Sequence, residues 1–226
     1  MTGGELYITR LCAWAPGVES AAEWDEWAQE RRSIASGGRG PEIAFTDSLF
    51  RRRLSQISKM TIQVIHGLLP LEEDTKIIFL SYRGELARQY QINKMLIEEK
   101  ALMPAAFSLS VFNAPVALAS IAFGLRGGYS ALYPAGNNSF AAGLAAAQAA
   151  LLGGAVQEIV FVYADEQAPP EYGRFSSEFP PAAFGLLLSR ESVSPSIPLS
   201  SLKGDGDSPL GFLRRLLLCG KIHVSP

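Results

Sequence analysis

The sequence predicts a layered α/β fold built on a mixed β-sheet, and three features carry that expectation. Two short, almost wholly apolar runs, residues 76–81 and 158–163, have the composition of strands covered on both faces. Stretches of helical spacing lie between and around them. Strands alternating with helices fit a sheet with helices layered on it. At 226 residues, 48% of them hydrophobic, the chain can bury a large core without a disulfide or metal staple.

Taken in order, Leu6 and the apolar stretch to Trp14 form a first strand, ended by Pro16 and Gly17. Residues 21–34 have helical spacing with Trp24 and Trp27 on one face, and residues 36–41 are a Gly-rich loop. Helices follow at 47–58 and 60–69, the second closed by Pro70, and then the buried strand at 76–81. Residues 85–100 make an amphipathic helix, 114–123 a small-residue helix and 129–133 a short strand. Asn137, Asn138 and Ser139 supply N-caps for an alanine-rich helix at 140–152, which Gly153 and Gly154 end. A buried strand at 158–163, a proline-rich loop and a strand at 183–189 come next. Residues 191–207, rich in Ser, Pro, Gly and Asp, form a loop before a short helix at 210–219. No internal repeat is evident.

The helix at 140–152 carries no charge on any face. A helix apolar all round is covered all round. Either residues 210–218 provide its second cover or another subunit does.

Charge and cysteine content narrow the function classes. A formal net charge of −2 argues against nonspecific nucleic-acid binding, which needs surplus Lys and Arg. Cys12 and Cys219 form no metal-ligand spacing and no disulfide framework, so no metal or cofactor is expected and a reducing cytoplasm is the default. Residues 1–5 carry no basic segment leading into an apolar one, so no secretory signal is expected. Between Lys100 and Glu158 the only charge is Arg126. The run 101–125 is long enough to span a bilayer, but Pro104, Ser108, Ser110, Asn113, Pro115 and Ser120 interrupt it. The expectation is buried core and no membrane span.

The segment from Phe107 to Asn113 (Phe-Ser-Leu-Ser-Val-Phe-Asn), followed by Ser120 to Gly127 (Ser-Ile-Ala-Phe-Gly-Leu-Arg-Gly), resembles the β-ketoacyl synthase family of the thiolase-like superfamily. That family carries an Asn followed eleven residues later by a Gly-x-x-Gly turn, as Asn113 and Gly124 stand here. A strand, a nucleophilic cysteine, a Gly-Asn-Asn-like stretch and a buried helix come after the turn. The matching series is Tyr129 to Tyr133, Pro134-Ala135, Gly136-Asn137-Asn138 and the apolar helix. Residues 50–60 look like the family's basic helix pair and residues 77–83 like its second strand. The likeness covers about residues 5–190, the first of the family's two duplicated halves, and leaves 191–226 as a C-terminal loop and short helix.

The departures bear on function. Tyr133 or Gly136 takes the nucleophile's place, depending on how the shortened turn is aligned, and neither is a thiol. The chemistry needs a thiolate at a helix N-terminus to accept the acyl chain. The family's catalytic histidines and lysine belong to the second half, which the chain is expected to lack. The resemblance therefore implies no catalytic residue here. It implies a silent partner, like the short chain-length factors of aryl polyene and other type II polyketide systems, paired with a cysteine-bearing ketosynthase. On that likeness Tyr129, Ser130, Ala131, Leu132, Tyr133 and Asn113 would form the dimer interface. Phe107, Phe112 and Tyr133 would line the acyl tunnel, and Arg51, Arg52, Arg53 and Lys59 would dock an acyl carrier protein.

Plainer roles stand beside these. Phe107 and Phe112 fit ordinary core positions. Tyr133 fits a strand aromatic as well as a tunnel plug. The basic cluster fits a solvated helix face, since Asp47, Glu72, Glu73 and Asp74 are near in sequence. His66 fits a core or boundary position, and His223 is given no role. An acyl-carrier-binding module is an alternative. So is a small acyl hydrolase or transferase using Ser130 or Tyr133 with His223 or Asp165, though no Gly-x-Ser-x-Gly elbow supports it.

Overall fold

The computed structural model describes residues 5–101, 104–134, 139–154, 156–176, 180–202 and 208–225. Its centre is a seven-stranded mixed sheet: β1 (Tyr7–Trp14), β2 (Lys76–Leu80), β3 (Tyr129–Leu132), β4 (Glu158–Asp165), β5 (Ala182–Ser189), β6 (Ile197–Pro198) and β7 (Val224–Ser225). The strand order is β3-β2-β4-β5-β1-β6, with β7 also paired to β1. β3, β2 and β4 run parallel, and β5 lies antiparallel to both β4 and β1.

Alternation along the strands sorts the core into two layers. On β4, Ile159, Phe161 and Tyr163 face one side, where they meet α1 (Ala21–Ala28), α7 (Ser139–Gly153) and α8 (Pro209–Leu218). Val160, Val162 and Ala164 face the other, toward α3 (Gln56–His66) and α6 (Ala114–Phe123). Every residue of β4 after Glu158 is buried, as its unbroken apolar run requires.

Several boundaries differ from the sequence expectation for identifiable reasons. α1 stops at Ala28 because Glu30 adopts φ +62°. The Arg31 amide then donates to the Glu26 carbonyl and the Glu30 amide to Trp27, a Schellman ending without glycine. The helix expected at 47–58 is two pieces. Asp47 caps α2 (Ser48–Arg51), while Ser55 caps α3 by accepting from the Ser58 amide. Within residues 191–207, taken as loop, β6 pairs with Tyr7 and Ile8 and a 3-10 helix spans Leu199–Leu202. β6, α8 and β7 pack onto the same core as the rest of the chain.

α4 (Leu86–Glu98) and α5 (Pro104–Ser108) form an arm at the edge of the molecule. Within α4 only Ile92 is buried, and Leu96 and Ile97 are exposed. α7 buries Phe140, Gly143, Ala147 and Leu151 but leaves Ala141, Ala142, Ala145, Ala149 and Leu152 in solvent. α8 meets the N-terminal end of α7 through the Phe140 and Phe212 rings at 5.2 Å. The outer face of the charge-free helix therefore has no cover among the described residues. No helix among them is long and apolar enough to cross a membrane.

Candidate functional site

The parallel strands β2, β3 and β4 end on one side of the sheet, where α/β folds place their ligands. Three chain segments meet there: Ser81 to Gly84 after β2, Tyr133-Pro134 after β3, and Asp165-Glu166 after β4.

Asp165 organises the first of these. Its side chain is fully buried, and Oδ1 accepts hydrogen bonds from Ser81 Oγ at 2.7 Å, the Tyr82 amide at 3.1 Å and the Arg83 amide at 2.9 Å. Ser81 Oγ in turn accepts from the Gly84 amide at 2.7 Å. The turn is a cradle of donors closed around one carboxylate, which offsets the cost of burying it. Burial raises the Asp165 pKa despite those donors. The Tyr163 hydroxyl, likewise raised by burial, donates to the same group.

Phe112 sits on this turn. Its ring lies edge-on to Phe79 of β2 at 6.3 Å and to Tyr133 at 6.4 Å. A Cβ on Gly84 would come within 2.5 Å of Phe112 Cδ2, and Gly84 has φ +55°. Glycine there satisfies both the backbone and the aromatic packed over it. Phe112 is thus half-buried within its own chain, whereas Phe107 on α5 is 56% exposed and Tyr133 is 67% exposed.

Among the described residues β3 is an edge strand, bonded to β2 on one side only. Tyr129 is exposed, and Ser130, Ala131 and Leu132 are half-buried. Asn113 N-caps α6 without a side-chain cap bond, and its amide donates instead to the Tyr129 hydroxyl at 3.0 Å. The Gly-x-x-Gly turn sets β3 in register. Gly124 closes α6 at φ +65°, and a Cβ on Gly127 would lie 1.9 Å from the Asp74 carbonyl oxygen. Only glycine lets the strand approach β2 so closely.

The position directly after β3 holds Tyr133; Gly136, Asn137 and Asn138 lie outside the described residues. Neither cysteine is at this place. Cys12 is on β1, four strand positions from β3 and so roughly 19 Å away. Burial pushes its thiol up to about 12. Cys219 is exposed at the end of α8. The structure likewise does not bring Ser130 or Tyr133 to His223. That residue precedes β7, beyond β1 on the far side of the sheet and about 24 Å off by strand count. Asp165 is engaged by the Ser81 turn.

The basic residues divide in two. Arg51 Nη1 ties down the preceding loop through the Ile43 and Thr46 carbonyls at 3.2 and 2.8 Å. Arg52 and Arg53 are exposed and Lys59 is half-buried. Arg39, Arg51, Arg52 and Lys59 line an open cleft of about 560 Å³. His66, at the end of α3, stacks on Phe45 at 3.7 Å as a boundary residue.

Sequence reasoning missed the Ser81–Asp165 cradle and the role of Gly84. Two adjacent acids closing a wholly apolar strand, Asp165 and Glu166, were the available signal. It becomes informative only once β2 and β4 are known to be neighbours.

A mixed sheet between two helical layers, with Tyr133 at the carboxyl end of its edge strand, has the thiolase-like architecture of a ketosynthase N-terminal domain. A profile for the β-ketoacyl synthase N-terminal domain matches residues 24–208, and the chain belongs to that family. No curated protein matches it. Among solved structures it is similar to a chain of the complex of the ketosynthase ApeO with its chain length factor ApeC from Xenorhabdus doucetiae. That match has 27% identity and a TM-score of 0.75, covering 94% of this chain and 91% of the other. The ishigamide ketosynthase/chain length factor matches at 13% identity and a TM-score of 0.67, over 87% of this chain and 65% of its own. AntDE:AntF, a type II acyl carrier protein in complex with its ketosynthase, matches at 12% and 0.63, over 83% and 64%. The latter two likenesses are of fold alone.

Proposed function

We propose that the chain is a non-catalytic, chain-length-factor-like subunit that pairs in the cytoplasm with a cysteine-bearing ketosynthase and shapes its acyl tunnel. The system would be of the type II polyketide or fatty-acid-like kind, with aryl polyene synthesis the favoured class. The observation that carries this reading is that Tyr133 and Gly136, the two candidates for the place after β3 where the family's chemistry needs a thiol, are both without one. Three uncovered surfaces support the partner: the open edge of β3, the outer face of α7 and the projecting Phe107. Tyr129, Ser130, Ala131, Leu132, Tyr133 and Asn113 form the interface in this reading. Phe107 enters the partner's acyl pocket, while Phe112 backs Tyr133 from within. The 27% identity to a chain of the ApeO–ApeC complex points to the same class.

Arg52, Arg53 and Lys59 then steer an acidic acyl carrier protein to the complex; Arg51, held by its loop carbonyls, serves as their support. The test is co-expression with a cysteine-bearing ketosynthase of the same source, followed by sizing and a condensation assay. A 1:1 complex, active only with both chains, is expected. A stable chain that ignores the synthase would sink the proposal, and binding of carrier alone would favour a stand-alone carrier-binding module.

A further inference from the structure

A second pair of acids lies at the root of the α4–α5 arm. Glu85, the N-cap of α4, has 0% of its surface exposed, and Glu166, just past β4, has 4%. Both carboxylates crown the first turn of α3. Glu85 Oε1 accepts from Ser55 Oγ at 2.6 Å and Ser58 Oγ at 2.7 Å. Glu166 Oε2 accepts from the Ile57 amide at 3.2 Å, and the Ala87 amide in the first turn of α4 lies against the same group. Two helix N-termini therefore converge on two carboxylates.

We propose that Glu85 and Glu166 share one proton, and that this proton locks the first turns of α3 and α4 to the end of β4. The other polar groups around the pair are few. From α4 comes Arg88, whose Nε is 3.2 Å from Glu85 Oε2 and whose Nη2 also donates to the Arg53 carbonyl at 2.8 Å. From the turn after β2, Arg83 Nη1 donates to the Glu166 backbone carbonyl at 3.1 Å, not to its carboxylate. At the end of β4, Asp165 and Tyr163 are engaged with each other and with the Ser81 turn. α3 offers hydroxyls and an amide, while its Lys59 lines the separate cleft with Arg39.

Among the described residues Arg88 is the cation paired with these two buried acids, and the hydrogen bonding shows the same imbalance. Glu166 Oε1 is buried and accepts no hydrogen bond, while Glu85 Oε2 has only the Arg88 Nε ion pair. Buried acceptors without donors are rare in native proteins. A carboxyl proton on Glu166 Oε1, donated toward Glu85 Oε2, engages the orphaned oxygen and adds to the Arg88 contact with no bond broken elsewhere. Burial and then the neighbouring Glu85 push the Glu166 pKa up to about 8, in the same direction as the geometry. The proton belongs to the pair rather than to either residue.

Because the folded-state value lies above the ordinary 4.5, folding takes up a proton at intermediate pH. The stabilisation is complete below the unfolded value and is lost as pH rises through about 8. The test needs no partner. Urea unfolding of the full chain from about pH 5 to pH 9.5 is compared with Glu166→Gln, whose amide can replace the shared O–H. Relative to the variant, the wild-type unfolding constant should rise up to about tenfold per pH unit and level off above pH 8. Parallel curves would overturn the proposal. Should the variant not fold, infrared titration of the wild type decides. Loss of a protonated-carboxyl stretch near pH 8 supports the shared proton, and no such band at pH 7 refutes it.

Discussion

Replacing Ala131 with proline separates pairing across the β3 edge from the integrity of the fold. The Ile77 amide donates to the Gly128 carbonyl at 3.1 Å and the Ser81 amide to the Leu132 carbonyl at 3.2 Å. With strand alternation, Gly128, Ser130 and Leu132 therefore bond to β2, and the backbone groups of Tyr129, Ala131 and Tyr133 point outward. Proline at residue 131 removes one outward N–H and leaves the bonds to β2 untouched, a substitution that edge strands tolerate. Ser130 is already extended, as the residue before a proline must be. In a complex paired along β3, the lost bond costs about 0.5–1.5 kcal/mol and the stranded carbonyl on the partner about 1–3 kcal/mol. Together these, about 1.5–4.5 kcal/mol, weaken the Kd roughly 10- to 2,000-fold. The assay is calorimetric titration of the synthase with each version, with thermal melting of the isolated chain as the fold control. An unchanged Kd with an unchanged melt would place the interface elsewhere and refute the edge-pairing argument.

Two further substitutions probe the aromatic residues. Phe107→Ala removes a ring that is 56% exposed, so the chain's own stability should move by less than about 0.5 kcal/mol while the complex makes a longer product by mass spectrometry. An unchanged product profile would end the tunnel role. Gly84→Ala places a methyl 2.5 Å from Phe112 Cδ2 at a residue with φ +55°, so Phe112 must leave Phe79. Urea unfolding should register a loss of about 1–3 kcal/mol, and a neutral result would show that the turn relaxes freely.

Much of this architecture was legible in the residues because burial on both faces leaves a plain signature. Residues 76–81 and 158–163 read as strands since the apolar positions after Lys76 and Glu158 alternate between two helical layers. The charge-free helix at 140–152 called for a second cover from residues 210–218 or another subunit, and the structure leaves Ala141, Ala145 and Ala149 exposed, so residues 210–218 do not supply it. The end of α1 was illegible because a glutamate, not a glycine, takes the left-handed position at residue 30. The break before α3 was hidden because Ser55 competes as a cap only once Glu85 and Glu166 arrive from distant segments. The family pattern narrowed the nucleophile's place to Tyr133 or Gly136. That Phe112 turns inward while Phe107 projects follows from Gly84, whose neighbour lies 28 residues on.

The two margins of the sheet are unequal, and this limits how the molecule can assemble. Beyond β1 the sheet is finished by two dipeptide strands, β6 and β7, and β6 ends in Pro198, which has no amide hydrogen to offer. The opposite margin, β3, is open. A unit with one sticky side and one blunt side has a valency of one. In the proposed pairing along β3, association along the sheet would terminate at a pair, so adding more protein would fill the pair population without extending a ribbon.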